Sequence, residues 1–139
     1  MNEIILALGS NRNRRRNITK AQQLLRRLLP DIVFTKTIKT GAFRIRNEEA
    51  ENFHIKTVEG AHTASIPFFY NCMAKATTCF SQDELQQKLK AIETTMGDSH
   101  ENHQAGIVVI DIDLLAYGDT LLKEADWQRP YIQQLSEML

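Results

Sequence analysis

The spacing of apolar positions divides the first part of the chain into strands and a helix. Residues 3–8 form a short run rich in Ile and Leu, which is typical of a buried strand. Residues 17–29 carry apolar side chains at helical spacing, with Asn17 as a candidate N-cap and Pro30 as the stop signal. Residues 32–40 are β-branched and mixed with polar residues, which predicts a second strand.

The same spacing gives the elements of the second half. Residues 68–80 predict a third strand, and residues 107–117 predict a fourth that is strongly apolar. Between them Ser81 begins a helix with a capping box, because Glu84 follows three residues later. Gly97 fits the position just after the end of that helix, where a left-handed backbone is common.

The order of these elements predicts the fold class. Residues 44–66 fit either a long loop or an extra hairpin, residues 98–106 are polar, and Asp126 is expected to cap a last short helix. The order is thus β-α-β-β-α-β followed by a helix. We therefore predict an α+β, ferredoxin-like sandwich, with helices packed on one face of an antiparallel sheet and a C-terminal helix added. We expect residues 1–139 to form a single domain.

Composition excludes several classes of function. Lys and Arg together number 17, as do Asp and Glu. We therefore expect no excess of positive charge that would attract nucleic acid or a membrane surface. No apolar run approaches the roughly 18 residues of a membrane span, and the first residues lack the basic start of a signal peptide. Cys72 and Cys79 are an odd number of residues apart on one predicted strand, so no disulfide is expected between them. We expect a cytoplasmic monomer or weak homodimer.

The strongest chemical signal is an acidic pair on the fourth predicted strand. Asp111 and Asp113 are two residues apart, so both side chains project from one face, while Ile112 and its apolar neighbours suit the core. Adjacent carboxylates repel each other unless a cation lies between them, and Mg²⁺ commonly takes one or two protein carboxylates. The alternative is a strand whose solvent-facing side has simply become polar.

Two further polar residues have both a functional and a structural interpretation. Glu93 borders the apolar stripe of its helix, where it would be either a surface residue or a directed ligand or hydrogen-bond acceptor. Asn71 follows three aromatic residues, 68–70, and an amide beside flat rings suits a planar heterocycle. Aromatic residues in strands are also ordinary core, so both interpretations of Asn71 stay open.

Taken together and in order, five segments resemble the family of hydroxymethyldihydropterin pyrophosphokinases. No one of these segments is decisive, but the ordered set covers most of the chain. The segments are LALGSN at 6–11, Phe-Tyr-Asn at 69–71, Ile92-Glu93 followed by Gly97, the block from Ile110 to Leu115 with Tyr117-Gly118, and Arg129-Pro130-Tyr131.

The resemblance implies a reaction and a set of roles. The family transfers the terminal diphosphate of ATP to the hydroxymethyl group of 6-hydroxymethyl-7,8-dihydropterin and leaves AMP. It implies that Asp111 and Asp113 hold two Mg²⁺ ions at the catalytic centre, and that Glu93 lies in the nucleotide part of the site. By the same resemblance the pterin pocket would include Asn71, Phe69, Thr40, Ala42, Phe43 and Tyr131, with residues 44–66 acting as a lid.

The chain also departs from the family pattern at positions that normally contact phosphates. Asp98 stands where a basic residue is usual, and Gly106 is followed by Ile107 and Val108 instead of Pro-Arg. A tryptophan expected near Ala105 is absent, and a histidine-bearing segment after the acidic block is missing. Other cations would have to compensate, and the candidates are Arg12, Arg14, Arg15, Arg16, Lys88 and Lys90.

These departures leave three functions open. The first is an active but divergent pyrophosphokinase. The second is a protein that binds pterin or nucleotide without turnover. The third is another small-molecule or scaffold role on a common fold, because a fold alone does not fix function.

Overall fold

The computed structural model describes residues 1–40 and 68–139, which form an antiparallel sheet with helices packed against it. The elements are β1 (Asn2–Ser10), α1 (Arg14–Leu28), β2 (Val33–Phe34), β3 (Ile38–Lys39), β4 (Tyr70–Thr78), α2 (Gln82–Thr95), α3 (His100–Gln104), β5 (Asp111–Tyr117), β6 (Thr120–Leu121), α4 (Glu124–Trp127) and α5 (Pro130–Ser136).

The strand order is that of a ferredoxin-like sheet. The strands lie in the order β2-β4-β1-β5-β6, and β3 also pairs with β4. The central strand β1 is antiparallel to both β4 and β5. The predicted α+β fold class is confirmed.

Strand register brings three distant parts of the chain together at one end of the sheet. Gly9 on β1 pairs with Asn71 on β4 and with Asp111 on β5. Ala7 pairs with Asp113 in the same way. The polar residues that the sequence singled out on β4 and β5 therefore lie on either side of two small residues of β1.

Apolar side chains fill both faces of the sheet. The larger core lies under α1 and α2, and its fully buried members include Leu6, Leu25 and Leu85. A smaller cluster on the opposite face joins Met73 and Leu115 to three residues of α5. Burying a side chain of this size contributes roughly 1.5–3 kcal/mol, so α5 is held firmly beside the acidic end of β5.

Two local predictions about α2 are confirmed by the structure. Ser81 and Glu84 form the reciprocal capping box of α2, and Gly97 after this helix has a φ of 96°. Cys72 is buried on β4, whereas Cys79 just beyond the strand is exposed, and both thiols are free. No helix in the described part of the chain has the length and apolar character that a membrane crossing requires.

The predicted start of α1 is wrong. The helix begins at Arg14 rather than at residue 17, after Asn13 with a left-handed φ of 45°. Asn17 is not the N-cap, because its backbone N–H already bonds to the carbonyl of Asn13 within the first turn. Its side-chain amide donates instead to the carbonyl of Arg12 and closes the turn that precedes the helix.

The predicted strand over residues 32–40 is two short strands, β2 and β3. Thr35 interrupts it: its backbone N–H donates to the Met73 carbonyl at 2.8 Å, but its side-chain hydroxyl receives the Met73 N–H at 2.9 Å. A side-chain acceptor thus replaces the backbone carbonyl that a continuous ladder would use.

The connections around β5 also differ from the prediction. The polar segment 98–106 contains the short helix α3, and residues 107–110 precede β5 instead of belonging to it. Asp126 lies inside α4 and does not cap the last helix, because Lys123 and Arg129 occupy the N-cap positions of α4 and α5. The predicted loop or hairpin over 44–66 lies outside the described residues.

Candidate functional site

The acidic pair lies on one face of β5, as the sequence predicts. Ile112 between the two acids is buried in the larger core, so Asp111 and Asp113 project from the opposite face. Their neighbours on β1, Gly9 and Ala7, are small and leave open space beside the carboxylates.

The surroundings of the pair disfavour the charged form of Asp111. Burial raises the pKa of Asp111 from its ordinary 3.8 to about 8, and repulsion from Asp113 and Glu93 adds to the rise. The side chains of the pair are within hydrogen-bonding reach of each other. A cation placed between them would relieve both repulsion and the cost of burial.

One cavity of about 120 Å³ joins this pair to residues that the sequence assigned to the pterin. Phe69 and Asn71 line it from the start of β4, and Tyr131 lines it from α5. The structure therefore brings together five of the residues predicted for the site. Gly9, Asp126 and Arg129 also line the cavity. Gly9 and Arg129 belong to segments that carry the family resemblance, but none of the three was predicted as a site residue.

Asn71 is held between Thr40 and Gly9. Its side chain is buried, and its amide nitrogen donates to the hydroxyl of Thr40. Thr40 is itself anchored by a backbone hydrogen bond of 2.9 Å to Phe69. A Cβ at Gly9 would lie only 2.7 Å from Asn71 Oδ1, so glycine is what lets the amide lie across β1.

Glu93 acts on the acidic pair through the backbone. It is buried, and its Oε2 accepts a hydrogen bond of 2.7 Å from the N–H of Ile112, between the two acids. Burial raises the pKa of Glu93, and this hydrogen bond opposes the rise. The carboxylate thus ties α2 to β5, which matches the hydrogen-bond acceptor that the sequence left open. Its assignment to the nucleotide stays a prediction.

The prediction missed two cations near the pair. Lys123 Nζ lies 3.2 Å from Asp113 Oδ1, and Arg129 Nε lies 3.1 Å from Asp126 Oδ1. The signal that would have found Lys123 is the β5–β6 hairpin at Gly118, which folds the following segment back towards β5. Ala42 and Phe43, the remaining residues assigned to the pterin, lie outside the described residues.

Asp98 has a structural role at the position where the resemblance expects a basic residue. Its side chain is 4% exposed, one oxygen accepts from the N–H of Val109 at 3.0 Å, and the other lies 2.7 Å from Nε2 of His103. These contacts hold the segment that leads into β5. Asp98 therefore supplies no positive charge to a phosphate.

The donor set fits a magnesium ion that is bound mainly through water and substrate. Within residues 1–40 and 68–139, no cluster of three or more His, Cys, Asp or Glu side chains is arranged to hold a metal. Two carboxylates facing an open cavity are a partial set, and Mg²⁺ commonly completes its octahedron with water and phosphate oxygens.

A ferredoxin-like sheet with paired carboxylates, a buried amide and aromatic side chains around one cavity defines a small-molecule-binding α+β protein with an acidic centre. The chain belongs to the 7,8-dihydro-6-hydroxymethylpterin-pyrophosphokinase (HPPK) family, whose sequence model matches residues 5–137. The predicted family is confirmed.

Two relatives carry names from folate synthesis. The folate synthesis bifunctional protein of Arabidopsis thaliana is 28% identical over 138 residues, which cover 94% of this chain and 25% of that protein. The folic acid synthesis protein FOL1 of Dictyostelium discoideum is 36% identical over 63 residues, covering 45% of this chain and 9% of that protein. The chain thus spans a quarter or less of the relatives it matches.

Proposed function

We propose that this chain transfers the terminal diphosphate of ATP to the hydroxymethyl group of 6-hydroxymethyl-7,8-dihydropterin. In this reaction the hydroxyl oxygen attacks the β-phosphorus, the bond from that phosphorus to the bridging α-oxygen breaks, and AMP leaves while the hydroxyl loses its proton. The observation that carries the proposal is the cavity shared by the acidic pair and Asn71. Membership of the family supports it.

The acidic pair is the proposed metal site. Asp111 and Asp113 would hold two Mg²⁺ ions, because a bound cation would offset both the desolvation of Asp111 and its repulsion from Asp113. When bound, these ions supply neutralising charge to the triphosphate and polarise its oxygens. The role of the protein is then to keep both carboxylates on the same face of a rigid strand.

The amide and the rings form the proposed pterin site. Asn71 would hydrogen-bond the polar edge of the pterin, while Phe69 and Tyr131 flank the flat ring. Thr40 keeps the Asn71 amide oriented. Ala42 and Phe43 complete this set in the proposal.

The catalytic effect expected from this arrangement is alignment. Phosphoryl-type transfer requires the attacking and leaving oxygens to be in line and their charge to be neutralised, more than it requires covalent help from the protein. Glu93 serves this purpose through its hydrogen bond to the Ile112 N–H, which fixes the strand between the two acids. We also propose that Glu93 borders the nucleotide.

A second candidate function is binding of pterin or nucleotide without turnover. The specific observation in its favour is Asp98, whose carboxylate is committed to His103 and to the backbone where a phosphate-binding cation is expected. Loss of one charge-assisted phosphate contact costs about 1.5–3 kcal/mol, which is enough to slow transfer strongly.

The test is an AMP assay with matched acidic variants. The protein is incubated with Mg-ATP and the reduced pterin, and AMP is measured for the wild type, Asp111→Asn and Asp113→Asn. Asp119→Asn is the control, because Asp119 is an exposed acid in the turn that follows β5.

AMP formation that is lost in both pair variants and retained in Asp119→Asn supports the pyrophosphokinase. Binding of the pterin or of Mg-nucleotide by calorimetry, with no AMP formed, favours the second candidate instead. AMP formation that survives both pair substitutions contradicts the proposed role of the acids.

A further inference from the structure

The cation nearest the acidic pair is a lysine from the segment after the β5–β6 hairpin. Lys123 Nζ lies 3.2 Å from Asp113 Oδ1, and in the described part of the chain it forms the one ion pair made with either acid. The Lys123 side chain is 48% exposed, whereas that of Asp113 is 26% exposed. The ammonium therefore lies at the solvent side of the pair.

The backbone fixes where this lysine begins. Leu122 donates to the Leu115 carbonyl at 2.8 Å, and the indole N–H of Trp127 is shared between the Leu115 and Leu122 carbonyls at 3.0 Å each. Lys123 itself has a left-handed backbone, with φ 51° and ψ 57°, which most residues other than glycine and asparagine adopt only at a cost. A lysine is thus kept at a position where glycine or asparagine would be easier to accommodate.

The neighbouring backbone is fixed, but the Lys123 side chain itself is half-exposed. The ammonium is within ion-pair distance of Asp113 only, so among the described residues the partly buried Asp111 has no ion pair of its own. A divalent cation would neutralise both acids at once, so it would compete successfully with the lysine for Asp113. The released ammonium stays tethered beside the site on a flexible four-carbon stem.

We infer that Lys123 is an exchangeable counter-ion, paired with Asp113 in the metal-free protein and transferred to a phosphate oxygen when metal and nucleotide bind. This inference rests on the proposed function. It also names a source for the positive charge that Asp98 does not supply, because lysine binds phosphate as a mobile point charge. Lys123 is then a nucleotide-binding residue that the sequence did not assign.

The experiment measures two affinities that the inference moves in opposite directions. Mn²⁺ binding without nucleotide is followed by electron paramagnetic resonance, and binding of a non-hydrolysable ATP analogue with saturating Mg²⁺ is followed by calorimetry. The variants are Lys123→Met, which removes the charge, and Lys123→Arg, which retains it. Lys123→Gly removes the charge with a favourable backbone, in case the methionine variant folds poorly, and the exposed Lys20→Met on α1 is the control.

In Lys123→Met and Lys123→Gly, Mn²⁺ alone should bind about two- to fivefold more tightly, the range expected when a partly exposed competing ion pair is removed. The ATP analogue should bind about tenfold more weakly, because one charge-assisted phosphate contact is lost. Lys123→Arg and Lys20→Met should match the wild type in both measurements. A structural defect would weaken both affinities together, so opposite shifts identify the exchange.

A parallel loss of both affinities, or an unchanged affinity for the ATP analogue, overturns the inference, and so does a wild type that binds no Mn²⁺. The AMP assay separates this result from the fate of the proposed function. Opposite shifts in a protein that forms no AMP leave the exchange standing and refute the pyrophosphokinase. AMP formation without those opposite shifts refutes the exchange and leaves the proposed function standing.

Discussion

At the scale of single residues, the site combines groups that are costly to keep together. Asp111 is partly buried beside a second acid, and only Asp113 has an ion pair with Lys123 among the described residues. Such destabilising arrangements persist where a ligand provides compensation. The stability of the metal-free protein should therefore report directly on the charge of this pair.

Asp111→Asn should stabilise the metal-free protein. The folded-state pKa of Asp111 is raised, so between pH about 4 and about 8 the folded form holds a proton that the unfolded chain has lost, and stability falls as pH rises through this window. In EDTA at pH 9 the substitution should raise Tm by about 3 °C or more, the shift that roughly 1 kcal/mol produces in a domain of this size.

The rise in Tm for Asp111→Asn should be smaller at pH 6, where the Asp111 side chain of the wild type already carries its proton. Asp113→Asn is the matched comparison and should gain less, because it also removes the ion pair with Lys123. Equal melting temperatures for wild type and Asp111→Asn at both pH values would show that the charge of Asp111 does not destabilise the folded protein.

A glycine and an amide on neighbouring strands are also mutually dependent. Gly9→Ala should destabilise the protein by about 1–3 kcal/mol and weaken pterin binding, because the new Cβ would lie 2.7 Å from Asn71 Oδ1. In an Asn71→Ala background the same substitution should cost much less, since the clashing atom is gone. Urea denaturation of the four proteins measures the coupling, and strictly additive costs would contradict this contact.

At the scale of elements, a side chain of α2 bonds to the backbone of β5 at a point where no neighbouring strand pairs with that edge among the described residues. β6 pairs only with Ala116 and Tyr117, so within the described residues the N–H of Ile112 has Glu93 as its acceptor in place of a further strand. This substitution of a carboxylate for a β-ladder partner holds the strand segment that carries both acids.

Glu93→Ala should cost about 1–3 kcal/mol in urea denaturation, because it leaves the Ile112 N–H buried and unpaired. Glu93→Gln retains an oxygen acceptor and should lose clearly less stability. Lys90→Ala is a useful control, since Lys90 is the exposed partner of Glu93 at 3.8 Å. Similar losses for the alanine and glutamine variants would mean that the carboxylate charge, and not the hydrogen bond, stabilises this contact.

The elements that sequence predicted well are those defined by strong periodicity. The β1, β4 and β5 strands and α2 have long apolar patterns, and the alternation on β5 was enough to place both acids on one face. The misses occurred where side chains replace backbone partners: Thr35 breaks a strand, and Asn17 bonds to a turn instead of capping a helix. Such substitutions depend on tertiary neighbours that periodicity does not reveal.

At the scale of the whole molecule, the site is assembled from both ends of the chain by strand register and by α5. The order of strands made it predictable that β1, β4 and β5 adjoin, so the meeting of Asn71 with the acidic pair followed from the fold class. The positions of Lys123 and Arg129 near the site could not be predicted from the fold class, because they depend on β6, a strand of only two residues. The single-domain organisation and the monomeric or weakly dimeric state stay predictions.

The distribution of positive charge over the molecule distinguishes this chain from the family pattern. A substitution at Asp98 can test whether the surrounding structure still accepts a basic residue at that position. If a basic residue were simply missing there, Asp98→Arg would restore phosphate binding. The carboxylate, however, accepts from the backbone of Val109 and Ile110 and pairs with His103, so these groups would lose their acceptor.

We therefore expect Asp98→Arg to lower the free energy of unfolding by about 1–3 kcal/mol without tightening the binding of Mg-nucleotide. Asp98→Asn keeps one oxygen acceptor for the backbone and should lose less stability. Urea denaturation and calorimetry with a non-hydrolysable ATP analogue measure the two effects. An arginine variant that stays as stable as the wild type and binds nucleotide more tightly would mean that the segment before β5 still has the geometry of a phosphate site. The loss of stability we expect would mean that this segment now serves to hold β5, and that the phosphates depend on cations from the other side of the acidic pair.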